Sequence, residues 1–196
     1  NRYLFDKNWY DLDDIFSSAR SFPIWNDGES YVMSITAEAQ TMFANQKMLD
    51  AVGEGVPTTF DELLSTGKKL KSGDVAGVAM RSKADGTAGS WPGGGFVFSN
   101  GGVIIQDGKC MLDSPEAIEA IHYYGTILKE AGPLGVGNYH WYECLNDYMQ
   151  EVCGIGMDSS NFATDIENPE KSNAAGHTTY GAMVSGPGKQ AKPNMW

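Results

Sequence analysis

The chain has 196 residues, 41% of them apolar, and its 25 acidic against 14 basic side chains give a formal charge of −11. This is enough apolar material for one sizeable packed domain and too much for a disordered chain. The charge excludes a nucleic-acid partner, because phosphate binding requires clustered lysines and arginines, and no apolar segment approaches the ~20 residues of a membrane-spanning helix.

The opening residues, NRYLFDKNWYDL, show no signal peptide and read as mid-protein sequence, so a fragment or a processed chain is expected. Residues 9–20 carry Leu12, Ile15, Phe16 and Ala19 at helical spacing and predict a short amphipathic helix. A loop with the turn pair Asp27-Gly28 follows, then a strand over Tyr31–Ile35. AEAQTMFANQKMLDAVG, residues 37–53, reads as a helix or helix pair stopped by Gly53. The clearest helix starts at the capping box of Thr59 and Glu62, lines one face with Phe60, Leu63, Leu64, Gly67 and Leu70, and closes at Gly73. Lys68, Lys69 and Lys71 occupy what reads as one solvated face of it.

Residues 74–81 form a short apolar strand. SKADGTAGSWPGG reads as loop, and GFVFSNGG as the end of a helix or strand at a Gly-Gly stop. Asp107-Gly108 is the turn of a hairpin candidate. Ser114 caps a helix with Pro115 at its first position, with Ile118, Ile121, Ile127 and Leu128 as its buried stripe, ended by Gly132-Pro133. A further helix runs from 139–142 through Leu145 and Met149. A strand at 152–157, a helical NPEKSNAAG segment and a strand at 178–184 complete the chain. Helices alternating with short buried strands predict an α/β domain with a mixed, mostly parallel sheet flanked by helices.

The three cysteines, Cys110, Cys144 and Cys153, form no CxxC. Cys144 and Cys153 can pair if a helix and the next strand pack together, whereas Cys153 also reads as a simple buried thiol. His122, His140 and His177 lie far apart, so no metal site is indicated. The glycines of WPGGG (91–95) lack a following GK[ST], and no cofactor is called for.

In open α/β sheets ligands collect beyond the carboxyl ends of strands. The residues there are Thr36 to Glu38, Arg81 and Ser82, Asp158 to Ser160, and Ser185 and Gly186. Carboxylates, hydroxyls and one guanidinium suit a neutral, hydroxyl-rich ligand. Trp91, Trp141, Tyr142, Phe162 and Trp196 lie in loops or at helix starts, where a flat ring can pack on the C–H face of a sugar or polyol. Each has a structural reading beside the functional one. Asp158 serves equally as cap of a helix beginning at Ser159, Glu38 as a first-turn acid, Arg81 as an exposed strand end with an ion-pair partner, and Trp141 and Tyr142 as helix anchors.

Several segments in order resemble the extracellular solute-binding proteins of ABC transporters, the sugar-binding group that includes maltose-binding protein. YVMSITAEAQTMFANQKML is similar to the family's Y-x-x-P-x-x-x-E…YNK segment, and PTTFDELLSTGKKLK to its P-x-T-W-D-E-L helix. SNGGVIIQDGKCMLDSPEAIEAIHYYGTILKEAGP resembles its snGG…dG…ldSPEAieAl block, and WYECLNDYMQEVCGIGMDSSNFA its W-x-E…F-x-x-GkaaMwiDat segment. NPEKSNAAG with TTYGAMVSGPG is similar to the polyol and monosaccharide subgroup. Ser34 replaces the usual proline, Ala44 interrupts the YNK-like stretch, Glu151-Val152 stands where Gly-Lys is common, and SWPGGG is also different.

The resemblance implies two α/β lobes enclosing a sugar, of which residues 31–196 supply the second and residues 1–30 the tail of the first. It implies a monomeric, periplasmic or surface-attached binding component that captures a sugar or sugar alcohol and delivers it to transporter permease subunits, with no reaction to catalyse. By position it assigns ligand contacts to Glu38, Arg81, Trp91, Asp158, Ser160 and Phe162, and less directly to Trp141 and Trp196. The rival expectation is a glycoside hydrolase with Glu38 and Asp158 as paired carboxylates.

Overall fold

The computed structural model describes residues 8, 11–21, 27–29 and 31–193. Contacts divide the chain into a first unit that ends at Glu38 and a second that begins at Ala39.

In the first unit the helix expected over 9–20 is two short pieces among the described residues. Asp11 caps a 3₁₀ turn, Leu12–Asp14, by accepting from the Asp13 N–H, and an extended Ile15 separates it from α1, Ser17–Ser21. The strand expected at Tyr31–Ile35 is irregular chain. Tyr31, Val32 and Ile35 are exposed. The Ser34 hydroxyl donates to the Ala19 carbonyl at 2.9 Å and ties this stretch to α1.

The second unit is built on a four-stranded sheet of order β2-β5-β1-β6. Its strands are β1 (Gln40–Asn45), β2 (Ala76–Ala79), β5 (Cys153–Ser159) and β6 (Thr178–Gly181). β2 and β5 run parallel and β1 is antiparallel to both its neighbours, so the sheet is mixed as expected but mostly antiparallel rather than mostly parallel. Helices flank it: α2 (Gln46–Val52), α3 (Phe60–Leu70), α4 (Gly94–Ser99), α5 (Pro115–Ala131), α6 (Trp141–Met149) and α7 (Ala163–Ile166). Met42 and Ala44 of β1 enter the core shared with α3 and α5, while Phe43 enters the core with Tyr148 of α6 and Ile166 of α7. The strand is thereby wedged between two helical layers. No helix among the described residues is long and apolar enough to cross a membrane.

β1 corrects the expected helix over 37–53, of which only Gln46–Val52 is helical. QTMFAN has modest helix propensity, but pairing on both edges and burial on both faces outweigh it. Asn45 makes the switch, its side chain accepting from the Met48 N–H, and Gly53 ends α2 at φ 70° as expected. The capping box of Thr59 and Glu62 opens α3 as read, with Phe60, Leu63, Gly67 and Leu70 buried. That helix stops at Leu70, and Gly73 serves the turn after it.

GSWPG, expected as loop, is a π-helical segment (Gly89–Gly93) leading into α4. The wide turn tolerates Pro92, which lacks an N–H, and packing of Trp91 and Phe96 supplies the stability that the glycines do not. The hairpin of β3 (Ile105–Gln106) and β4 (Lys109–Cys110) forms around Asp107-Gly108, both at positive φ. Ser114 and Pro115 open α5, but its buried face is Ala117, Ala120, Ile127, Leu128 and Ala131. Ile118 and Ile121 are exposed, because small residues let α5 approach α3. NPEKSNAAG is a series of turns, with the Asn168 side chain accepting from the Glu170 N–H at 2.9 Å in competition with helix. All three cysteines are free thiols; burial pushes Cys153 up to about 12.

α3 meets β2 where two glycines face each other. A Cβ at Gly77 would overlap the Gly67 carbonyl, which is backbone and does not yield. Gly77→Ala is expected to lower stability by about 1–3 kcal/mol or more. Gly125→Ala, in mid-helix with open space around it, is expected to raise it by about 0.5–1 kcal/mol. Urea unfolding of both variants measures the contrast, and equal effects would show that the glycine contact is not tight.

Candidate functional site

The parallel register that sets Ala79 beside Gly156, continued by two residues, sets Arg81 beside Asp158. Asp158 is the penultimate residue of β5 and fully buried. Its carboxylate accepts from Arg81 Nε at 2.7 Å and Nη2 at 2.5 Å, and from the Ser159 N–H at 2.7 Å. Burial pushes this carboxyl above its ordinary value of 3.8, and the hydrogen bonds and charge of Arg81, then Ser159 and the Trp91 indole, oppose the rise. The forked contact has the geometry in which arginine binds a carboxylate most strongly.

Two other elements fix the guanidinium. Trp91, 2% exposed, lies against it with Arg81 Cζ 5.7 Å from the ring centroid. Tyr124 of α5 donates its hydroxyl to the Arg81 carbonyl. Burial raises the Tyr124 pKa well above the ordinary 10.0, so this donor stays neutral.

Beside the pair, the start of α6 and the turn after β5 form an aromatic shelf. Trp141 lies 5.9 Å from Phe162 and 5.6 Å from Tyr142, centroid to centroid. Trp141 and Tyr142 are exposed at 41% and 56%, whereas Phe162 is half-buried against Phe43. Ser82 and Lys83 both donate their N–H groups to the Tyr139 carbonyl, which joins the end of β2 to the shelf. His140 Nε2 lies 3.4 Å from Asp85 on the same loop.

The structure thus brings Arg81, Trp91 and Asp158 into direct contact, and Trp141 and Phe162 into another. Ser160 ties the turn to β1, accepting from the Ala39 N–H at 3.1 Å and donating its own N–H to the Ala39 carbonyl. Asp158 does not cap a helix; Ser159 caps the 3₁₀ turn Ser160–Phe162 by accepting from the Asn161 N–H. Arg81 has the ion-pair partner of its structural reading, but its side chain is 13% exposed rather than at an exposed strand end. Glu38 follows no strand and begins no helix; it is half-buried and two residues before β1 in sequence. Trp196 lies outside the described residues. Tyr124 was missed, since nothing in a helix pattern marks a tyrosine that reaches a strand end 43 positions away. Among the described residues no group of three or more His, Cys, Asp or Glu could hold a metal.

A helix-flanked mixed sheet carries the charged pair and the exposed aromatics at its strand ends. The family model for bacterial extracellular solute-binding proteins matches residues 2–193, and the chain belongs to that family. Among solved structures, it is similar to an ABC transporter solute-binding protein from Agrobacterium radiobacter in complex with ribitol, at 24% identity and TM-score 0.88, over 99% of this chain and 49% of that one. An ABC transporter solute-binding protein from Agrobacterium vitis with bound D-mannitol matches at 22% identity and TM-score 0.81, over 90% and 43% of the two chains. Maltose-bound T. maritima MalE3 matches at 19% and 0.87, over 97% and 49%. At these identities the likeness establishes the fold, and this chain spans about half the length of each. A search of curated proteins found no match.

Arg81→Met removes the largest influence that opposes the raised Asp158 pKa, so the folded-state value climbs further. A carboxyl whose folded pKa is raised contributes stability below its unfolded pKa, and that stability is lost as pH rises through the folded value. The variant is therefore expected to lose about 3–5 kcal/mol near neutral pH, where a buried carboxylate stands uncompensated, and distinctly less at about pH 5. Urea unfolding at both pH values tests this; an equal loss at both would remove the carboxylate as its source.

Proposed function

We propose that this chain supplies the greater part of one ligand-binding lobe of the substrate-binding component of an ABC importer for a sugar or sugar alcohol, acting in the periplasm or attached to the cell surface. Residues 31–196 form the second lobe, with its compact body from Ala39, and residues 1–30 the tail of the first. The observation that carries the reading is the clustering of Arg81, Asp158, Trp91, Trp141, Ser160 and Phe162 at one end of β2 and β5 in a chain of this family. A ring shelf offers a surface for C–H faces, and a fixed guanidinium offers donors to hydroxyl oxygens. Ribitol, mannitol and maltose in the similar structures support a neutral polyhydroxylated ligand.

Closure of two lobes over the ligand is the signal that the permease subunits recognise, and a monomer suffices for it. The protein catalyses nothing. A hydrolase with Glu38 and Asp158 as its pair is disfavoured by the burial of Asp158, whose oxygens are already engaged by Arg81 and Ser159. A glycosidase acid or base must reach the scissile bond or its water.

Calorimetry of the intact protein against a sugar and polyol panel tests the reading, which fails if no member binds. Trp141→Ala is expected to weaken binding roughly 10-fold or more, a loss of about 1.4 kcal/mol, with little change in unfolding midpoint because the ring is exposed. The 196-residue chain alone is expected to bind far more weakly than the intact protein, and equal affinity would contradict the two-lobe reading.

A further inference from the structure

Arg81 brings a full positive charge to the end of β2, and Asp158 cancels it from within β5. The arginine side chain is 13% exposed and the aspartate 0%. Nε and Nη2 are engaged by the carboxylate and one face of the guanidinium lies against Trp91. Both hydrogens of Nη1 and the outer hydrogen of Nη2 remain as donors. A guanidinium held in this way offers directed N–H groups with no net charge behind them. An uncharged hydroxyl oxygen accepts such a bond without disturbing the pair. A carboxylate or phosphate that takes these donors has to share the guanidinium with Asp158, an anion that cannot move away, in a chain of charge −11. Like charges brought together at an incompletely solvated site are strongly disfavoured.

We propose that Asp158 is a positioning residue that sets ligand specificity: by neutralising Arg81 it restricts this edge to uncharged, hydroxyl-rich ligands and shuts out sugar acids and sugar phosphates of the same size. The inference rests on the reading that the ligand occupies this edge. Asp158 acts through Arg81, since its own oxygens are buried and engaged. Tyr124 steadies the strand end from α5 without adding charge.

The test uses the intact protein and calorimetry at low salt, with ribitol, D-mannitol and maltose each beside its aldonic acid: ribonate, mannonate and maltobionate. Whichever neutral compound binds is expected to bind at least about 10-fold more tightly than its acid. Asp158→Asn leaves the Arg81 charge uncompensated, and the preference is expected to shrink by about 10-fold or to reverse, through a gain for the acid. Asp158→Glu keeps the charge and is expected to keep the preference with weaker binding, which leaves a second readout if the asparagine variant does not fold. Equal binding of acid and neutral compound by the wild-type protein overturns the inference while leaving the binding reading intact. A folded Asp158→Asn that loses both ligands in proportion overturns it too, reducing Asp158 to a structural role, as does a folded Asp158→Glu that binds but no longer prefers the neutral ligand. Binding of none of the neutral compounds overturns the reading beneath it.

Discussion

A carboxylate with no exposed surface has to be compensated, and in this protein the compensation comes from a strand that is remote in sequence. Asp158 and Arg81 meet because β2 and β5 run parallel in one register, 77 positions apart. Removing either partner leaves a buried charge, so the pair ties the relative placement of the two strands to a cost of several kcal/mol. The surrounding elements are arranged about it. The π-helical turn slides Trp91 beneath the guanidinium, α5 contributes Tyr124 to the strand end, and the turn after β5 starts where the carboxylate stops.

The same arrangement explains why aromatic side chains are left exposed next to it. Tyr139 is held by the N–H groups of Ser82 and Lys83, so α6 begins at the end of β2 and presents Trp141 and Tyr142 outward. Phe162 reaches the shelf from the turn after β5, with Phe43 of β1 behind it. A rigid charged pair with a ring surface beside it is pre-organised, which limits the entropy lost when a small ligand is ordered against it.

Elements whose signal is local were legible in the sequence. The capping box of α3, the Ser114-Pro115 start of α5 and the Asp107-Gly108 turn each involve residues within a few positions of one another, and each formed. The misreadings share one cause. β1 reads as helix because its composition is Ala, Gln, Thr and Met, and only partners on both edges make it a strand. The glycines around Pro92 read as loop because the packing of Trp91 and Phe96 is invisible in the sequence. In α5 Ile118 and Ile121 looked like part of the buried stripe with Ile127 and Leu128, yet close approach to α3 favours alanines there.

The sequence alone determined the α/β class, the acidic surface charge, the family resemblance and the fact that an acid, Asp158, interrupts an apolar run. Hydrophobic period, caps and turn residues carry that information because they act over a few residues. Only the tertiary structure decided what Asp158 faces. A cap and a ligand contact were both open from spacing, and the answer is a half-buried arginine with a tryptophan against it. That outcome depends on strand register and helix packing across long separations, where the energy of a contact is set by what surrounds it.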